Sequence, residues 1–184
     1  MSQPLADARG SENRATTARK WDQLMIMPGK PKPSRRSGCP LSISLELLGD
    51  RWSLLIIRDL MVRGFRTFKD FQNSGEGIAT NILADRLDKL QAAGILNAEP
   101  EENDARRVNY CLTEKGIDLA PVLLELLLWA ARHEQTSAPP AVVKKLANNR
   151  QQFLKEVRRR WRDRDATPLM PSFELNPITK RSKH

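Results

Sequence analysis

The chain has 184 residues, 40% of them hydrophobic, with 31 basic and 22 acidic groups and a formal net charge of +9, enough apolar content for one modest core with extensions. Two scattered cysteines and two histidines argue against a secreted disulfide framework, a zinc set or histidine-based enzyme chemistry. No apolar run approaches the roughly 20 residues of a membrane span and no signal-peptide core opens the sequence, so the expectation is a cytoplasmic protein with no membrane partner, metal or cofactor.

The charge is unevenly spread. Residues 1–38 hold 8 basic and 3 acidic groups, residues 39–134 hold 11 and 15, and residues 135–184 hold 12 and 4. Basic flanks of this kind strengthen phosphate binding in a salt-dependent way, or serve simply as solvated tails. The first 38 residues read as a flexible arm, because the prolines of MPGKPKPSRRSG lack donors and restrict the residues before them. Within it, the short apolar segment Trp21–Met27 offers at most weak local packing.

Globular patterning begins at Cys39. Pro40 suits a first helical turn, Ile43, Leu47 and Leu48 give that helix an apolar side, and Gly49 ends it. Asp50 is placed to cap a second helix whose stripe is Trp52, Leu55, Ile56 and Leu60, ending at Gly64. Thr67 caps a short third helix with Phe68 and Phe71 turned inward, and the turn SGEG leads into a fourth. That fourth segment, Gly77–Leu96, organises the rest. Leu83, Leu87 and Leu90 recur at helical spacing, while Asn81, Asp85, Asp88 and Lys89 point the other way and Gly94 supplies the stop.

The outward side of this helix is small and polar at its start, with Thr80, Asn81 and Ala84. Short hydrogen-bonding side chains there suit insertion into a DNA major groove, where Asn pairs with adenine and Asp accepts from cytosine; a solvated surface face is the plainer reading of the same pattern. Two helices joined by a short turn make a helix-turn-helix. A hairpin follows, in which Val108, Tyr110 and Leu112 alternate against Arg107, Asn109 and Cys111, with Arg106 and Arg107 expected at its base. Such a wing lies along a phosphate backbone, or merely covers a core edge. Thr67, Ala84 and Lys89 complete the DNA-contact set read from the residues.

Thr113 is placed to cap one long helix through Glu134, with Pro121 bending it or marking where its regular part begins. Its run from Leu119 to Trp129 is apolar around its circumference, so a second copy is the economical cover. Leu119, Val122, Leu123, Leu126, Leu127 and Trp129 form the expected homodimer interface. After the prolines, residues 135–165 restart as a basic amphipathic helix with Val143, Leu146, Phe153, Val157 and Trp161 on one side. Its face carrying Arg158, Arg159, Arg160 and Arg162 leaves three roles open: dimer or core packing, a membrane-surface helix, or a nucleic-acid arm. Residues 166–184 read as a flexible tail.

In this order, CPLSISLELLGDRWSLLIIRDL, FRTFKDFQ, GIATNILADRLDKLQAAGIL, RRVNYCLTEKG and PVLLELLLWAARHE resemble the HxlR-type family of bacterial winged-helix transcriptional regulators, similar to MarR-type proteins. The resemblance covers Cys39 to Glu134. It implies a mainly α winged helix-turn-helix with dimerisation helices, acting as a homodimer on palindromic double-stranded operator DNA, as a repressor. It further implies readout roles for Thr80, Asn81, Asp85 and Arg86 and wing roles for Arg106 and Arg107. By helical geometry Arg86 borders the apolar face, where a phosphate or an internal carboxylate is its partner. Some relatives sense electrophiles or oxidants through a cysteine before the first helix. Cys39 matches that position, and a helix N-terminus with Arg35 and Arg36 nearby favours its thiolate; a small packing residue is the alternative. The competing function is a sequence-nonspecific nucleic-acid or partner-binding protein dominated by its basic flanks.

Overall fold

The computed structural model describes residues 37–101 and 104–169. The arm at 1–36, with Trp21–Met27, Arg35 and Arg36, and the tail from residue 170 lie outside the described residues. The chain divides into two units, of which the second begins at Cys39. In that unit α1 (Pro40–Leu48), α2 (Ser53–Arg58, continued by a π turn Asp59–Arg63), α3 (Phe68–Gln72) and α4 (Thr80–Ala92) precede the strands β1 (Leu96–Glu101) and β2 (Asp104–Leu112). After them come α5 (Glu114–Ile117), α6 (Ala120–His133), α7 (Pro140–Asn148) and α8 (Arg150–Arg162). It is the expected mainly helical fold with an antiparallel hairpin, a winged helix-turn-helix.

The core forms where the periodic faces meet. Leu83, Leu87 and Leu90 of α4 are fully buried against Ile56, Ile57 and Leu60 of α2, Phe71 of α3, and Ile95, Leu96 and Leu112 around the hairpin. Each such side chain contributes roughly 2 kcal/mol of burial. In α2 and its π turn the buried positions are Ser53, Ile56, Ile57, Asp59, Leu60 and Val62, whereas Trp52 and Leu55 of the expected stripe are only half-buried. The π turn changes the period only at the end of the helix, from Asp59 to Arg63; Trp52 and Leu55 precede it. Gly64 ends it at φ +75, and a Cβ there would lie 1.8 Å from the carbonyl oxygen of Ala166. Only glycine serves both demands.

The helix expected from Thr113 to Glu134 is two helices. Thr113 caps α5, its hydroxyl accepting from the Gly116 amide, and α6 restarts at Ala120 with Pro121 in its first turn. A proline has no N–H to continue the ladder, so it stands where an N-terminal donor would be unpaired anyway. The basic helix expected after the prolines is also divided. Asn149 leaves helical geometry (φ −122, ψ 36) and its amide donates to the Lys145 carbonyl at 2.9 Å, a local bond that competes with helix continuation.

The apolar side of α8 belongs to the core. Val157 is fully buried, Phe153, Leu154 and Trp161 pack against the main cluster, and Trp161 Nε1 donates to the Leu112 carbonyl at 2.7 Å. The arginines above it are largely internally paired. Arg158 meets Asp118, Arg159 meets Glu156 at 2.7 Å and Asp163 at 2.8 Å, and Arg160 meets Glu156 at 2.9 Å. Arg159 and Arg160 hold the Glu156 carboxyl down to about 2. Residues 166–169, assigned to the tail from sequence, run back onto α2, where the Leu169 amide donates to the Val62 carbonyl at 2.8 Å. Among the described residues no helix is long and apolar enough to cross a membrane.

Candidate nucleic-acid interface

Helix α4 is positioned by its buried leucines and by two polar ties. Asp50, the carboxylate before α2, accepts from the Trp52 and Ser53 amides at 2.8 and 2.9 Å and from the Ser53 hydroxyl. Its other partner is Arg86 of α4, at 3.2 Å. Burial opposes ionisation of Asp50, but these hydrogen bonds and the Arg86 charge outweigh it and hold the carboxyl below its ordinary 3.8. Arg86 thus serves an internal carboxylate, the alternative its place at the border of the apolar face had left open, and it lies only 24% exposed. The second tie joins the two helices of the motif, Gln72 Nε2 of α3 donating to the Thr80 hydroxyl at 3.0 Å.

These ties leave Thr80, Asn81, Ala84 and Asp88 exposed along one side of α4. Asp85 sits beside them, half-buried and paired with Lys89 at 2.8 Å and Arg86 at 3.4 Å. No side chain caps α4 at Ala79 and no acid stands in its first turn, so its first amides point outward with the positive end of the helix dipole. Sequence reading missed that amide cluster and Gln72. The absence of Ser, Thr, Asp or Asn at position 79 was the available signal for the first.

Thr67 is occupied structurally. Its hydroxyl accepts from the Asp70 amide at 3.2 Å while the Asp70 carboxylate accepts from the Thr67 amide at 2.8 Å, a reciprocal cap on α3, and Thr67 bridges to Asn109 of β2. The Tyr110 amide donates to the Arg66 carbonyl at 2.7 Å, so the hairpin is anchored to the helix-turn-helix at its middle. The strands pair from Leu96 with Leu112 to Pro100 with Val108, then shift register before Glu101 meets Asp104. Arg107, one residue beyond Val108 toward the turn, is 70% exposed and 3.9 Å from Glu101; it stands near the tip, not at the base expected from sequence. Arg106 is placed on β2 by its backbone alone. From the other side, Arg164 grips Glu99 at 2.6 Å and braces β1.

Cys39 is exposed at the N-cap of α1. The Ser42 and Leu41 amides facing it pull its thiol below the usual range, whereas burial and the nearby Glu99 push the Cys111 thiol up. No residue of α1 is fully buried. Of the expected apolar side, Ile43 and Leu48 are half-buried and Leu47 is exposed, while Leu41 and Leu45 stand 68% and 60% exposed. On α6, Leu124 and Leu128 are buried while Val122, Leu126 and Trp129 remain exposed, with Leu119, Leu123 and Leu127 half-buried. Both sides of α6 are therefore apolar, and among the described residues only one is covered.

A family model described as HxlR-like helix-turn-helix matches residues 47–138. The chain is 30% identical over 94 residues to the uncharacterised HTH-type transcriptional regulator YybR of Bacillus subtilis, covering 51% of this chain and 74% of YybR. It is 34% identical over 107 residues to the uncharacterised HTH-type regulator Rv3095 of Mycobacterium tuberculosis, covering 58% and 66%. Among solved structures it resembles PA1607, a candidate transcription factor, at 38% identity and a TM-score of 0.52 over 58% of this chain and 71% of that one.

The Asp50–Arg86 tie predicts two outcomes. Asp50 titrates below its unfolded value, so its contribution is present above about pH 4 and is lost as pH falls through the folded value. Urea midpoints measured against pH should therefore show Asp50→Asn less stable at pH 7, by about 1 kcal/mol, with the gap to the parent closing in acid. Arg86→Gln should lower stability while leaving the salt dependence of DNA binding as in the parent. A salt slope reduced by about one would return Arg86 to the phosphate backbone.

Proposed function

The chain belongs to the HxlR-like helix-turn-helix family of transcriptional regulators, a non-enzymatic, DNA-binding family, and from that premise we propose that it binds a palindromic operator as a homodimer and represses transcription. The observation that carries the reading is the side of α4 that the fold leaves open: Thr80, Asn81 and Ala84 exposed beside uncapped amides, with Leu83, Leu87 and Leu90 locked beneath. In this reading Asn81 reads a base, Thr80 and the α4 amides hold a phosphate, and Asp85 and Lys89 flank the contact. Arg106 and Arg107 carry the wing to the neighbouring backbone. Thr67 contributes through the cap that orients α3 and the wing rather than by touching DNA.

Dimerisation is supported by the apolar residues that no described residue covers, Leu41 and Leu45 on α1 and Val122, Leu126 and Trp129 on α6. Two copies joined through these helices would set two recognition helices at half-site spacing, about one DNA turn apart. Cys39, at the start of α1 with a thiolate favoured by two amides, is the proposed thiol sensor. A disulfide or adduct there changes the packing of α1 and with it the spacing of the pair.

Four outcomes test this. In a randomised-site selection, Asn81→Ala should relax one base position at a cost of about 1–3 kcal/mol, while Arg107→Ala weakens all sites alike and flattens the salt slope. A chain lacking residues 1–38 should keep its palindromic preference; loss of all preference would assign binding to the basic flank. By analytical ultracentrifugation, Leu45→Glu with Leu126→Glu should yield monomers without operator binding, and a soluble variant that stays dimeric removes the interface. Diamide, which oxidises two thiols to a disulfide, should alter operator affinity reversibly in the parent and in Cys111→Ser but not in Cys39→Ser. Equal responses in the parent and Cys39→Ser leave Cys39 as a packing residue.

A further inference from the structure

We propose that Arg164, on the strap that follows α8, is a positioning residue for DNA binding: it clamps the two strands of the wing together and so fixes where Arg107 meets the phosphate backbone. Its effect on DNA rests on the winged-helix reading of Arg107 above, whereas the clamp stands without it. A two-stranded ribbon on its own is marginal and twists readily, so its aim depends on what holds it. One face of the wing is held by the core, where Leu96 and Leu112 are buried and the Tyr110 ring meets Phe71 edge-on at 6.0 Å. Successive strand residues alternate between faces, so Asn97 and Glu99 of β1 share the opposite face with Cys111, Asn109 and Arg107 of β2.

Arg164 closes that second face. Its two terminal nitrogens donate to the Glu99 carboxylate of β1 at 2.6 and 3.3 Å, and Nη1 also reaches Cys111 Sγ of β2 at 3.8 Å, so one side chain spans both strands. Two bonds to one carboxylate fix direction as well as distance. The backbone points the same way. Among the described residues Arg164 is the only non-glycine with positive φ, 52, a conformation that glycine adopts at helix ends without a Cβ penalty. An arginine there is strained, and the reach of its side chain is what the strain secures. The strap is fixed on both sides of it, the Asp165 amide donating to the Arg160 carbonyl at 2.9 Å and the Leu169 amide to the Val62 carbonyl at 2.8 Å. It lies beyond residues 47–138, the part matched by the family model, so the clamp comes from outside the family's shared region. An ion pair with side chains 68% and 41% exposed adds little stability; its contribution is direction.

The test compares the full-length parent, Glu99→Gln, Arg164→Gly and their double variant by urea unfolding, by hydrogen exchange of the wing amides without DNA, and by affinity for a duplex selected from random sequence. Arg164→Gly removes the clamp and the backbone strain together, so its urea midpoint should equal or exceed the parent's while the amides of residues 108–111 exchange faster. Glu99→Gln removes a negative charge, which by charge alone strengthens phosphate binding; lost positioning should instead weaken DNA affinity, by about 2–30-fold. The double variant should bind no more weakly than Arg164→Gly, because both changes break one contact. Arg107→Ala should cost less affinity in Arg164→Gly than in the parent. A Glu99→Gln protein that binds DNA as well as the parent or better, unchanged amide exchange, an Arg164→Gly midpoint well below the parent's, or Arg107 and Arg164 effects that simply multiply, each overturns the proposal. A parent that binds no duplex counts instead against the DNA-binding reading, and amide exchange then decides the clamp.

Discussion

Everything in this molecule depends on keeping one side of α4 in the core and the opposite side bare. Leu83, Leu87 and Leu90 fix the rotation of the helix about its axis, because turning it would expose leucine and bury aspartate. Burial alone is non-directional, so polar ties set what packing cannot. Arg86 to Asp50 pins the helix to the start of α2, and Gln72 to Thr80 sets its N-terminus against α3. Asp50 joins the two levels, since the carboxylate that begins the central helix also holds the helix presented outward.

The C-terminal segment is part of that machinery. Val157 and Trp161 complete the core beneath the hairpin, Arg164 braces β1 through Glu99, and Ala166 passes so close to Gly64 that only a residue without Cβ fits. Its positive charge is mostly spent internally, on Asp118, Glu156 and Asp163. A segment rich in arginine is thereby a brace for the domain, and most of its arginines are engaged before any polyanion arrives. Exposed pairs of this kind add little stability one at a time. Their effect is positional, holding α8 against α5 and the wing.

The charge cluster of buried Asp59 with half-buried Arg58 and Arg63 occupies the end of α2, at the π turn. Burial pushes the Asp59 carboxyl up even beside two arginines. Such a group is costly unless fully answered, and Asp59 is answered by Arg58 at 2.8 Å and Arg63 at 3.2 Å.

The order of helices, the hairpin, the leucine face of α4 and the outward Thr80, Asn81 and Ala84 were legible in the sequence, because each is written in local periodicity and turn chemistry over fewer than 20 residues. The doubly apolar character of α6 was legible for the same reason. The π turn and the break at Asn149 were not, since regular periodicity does not register them; the place of Arg107 near the hairpin tip follows from the turn just before it and was misread as the base. Sequence marked Arg86 as a border residue; only the approach of Asp50, 36 positions earlier, decided that its charge is used inside. Likewise Trp161 read as one apolar position on a basic helix, and the carbonyl of Leu112 that it reaches is 49 residues away. Periodicity determines which face of an element is apolar, whereas the partner of a long polar side chain is settled by three-dimensional distance, which no local pattern encodes.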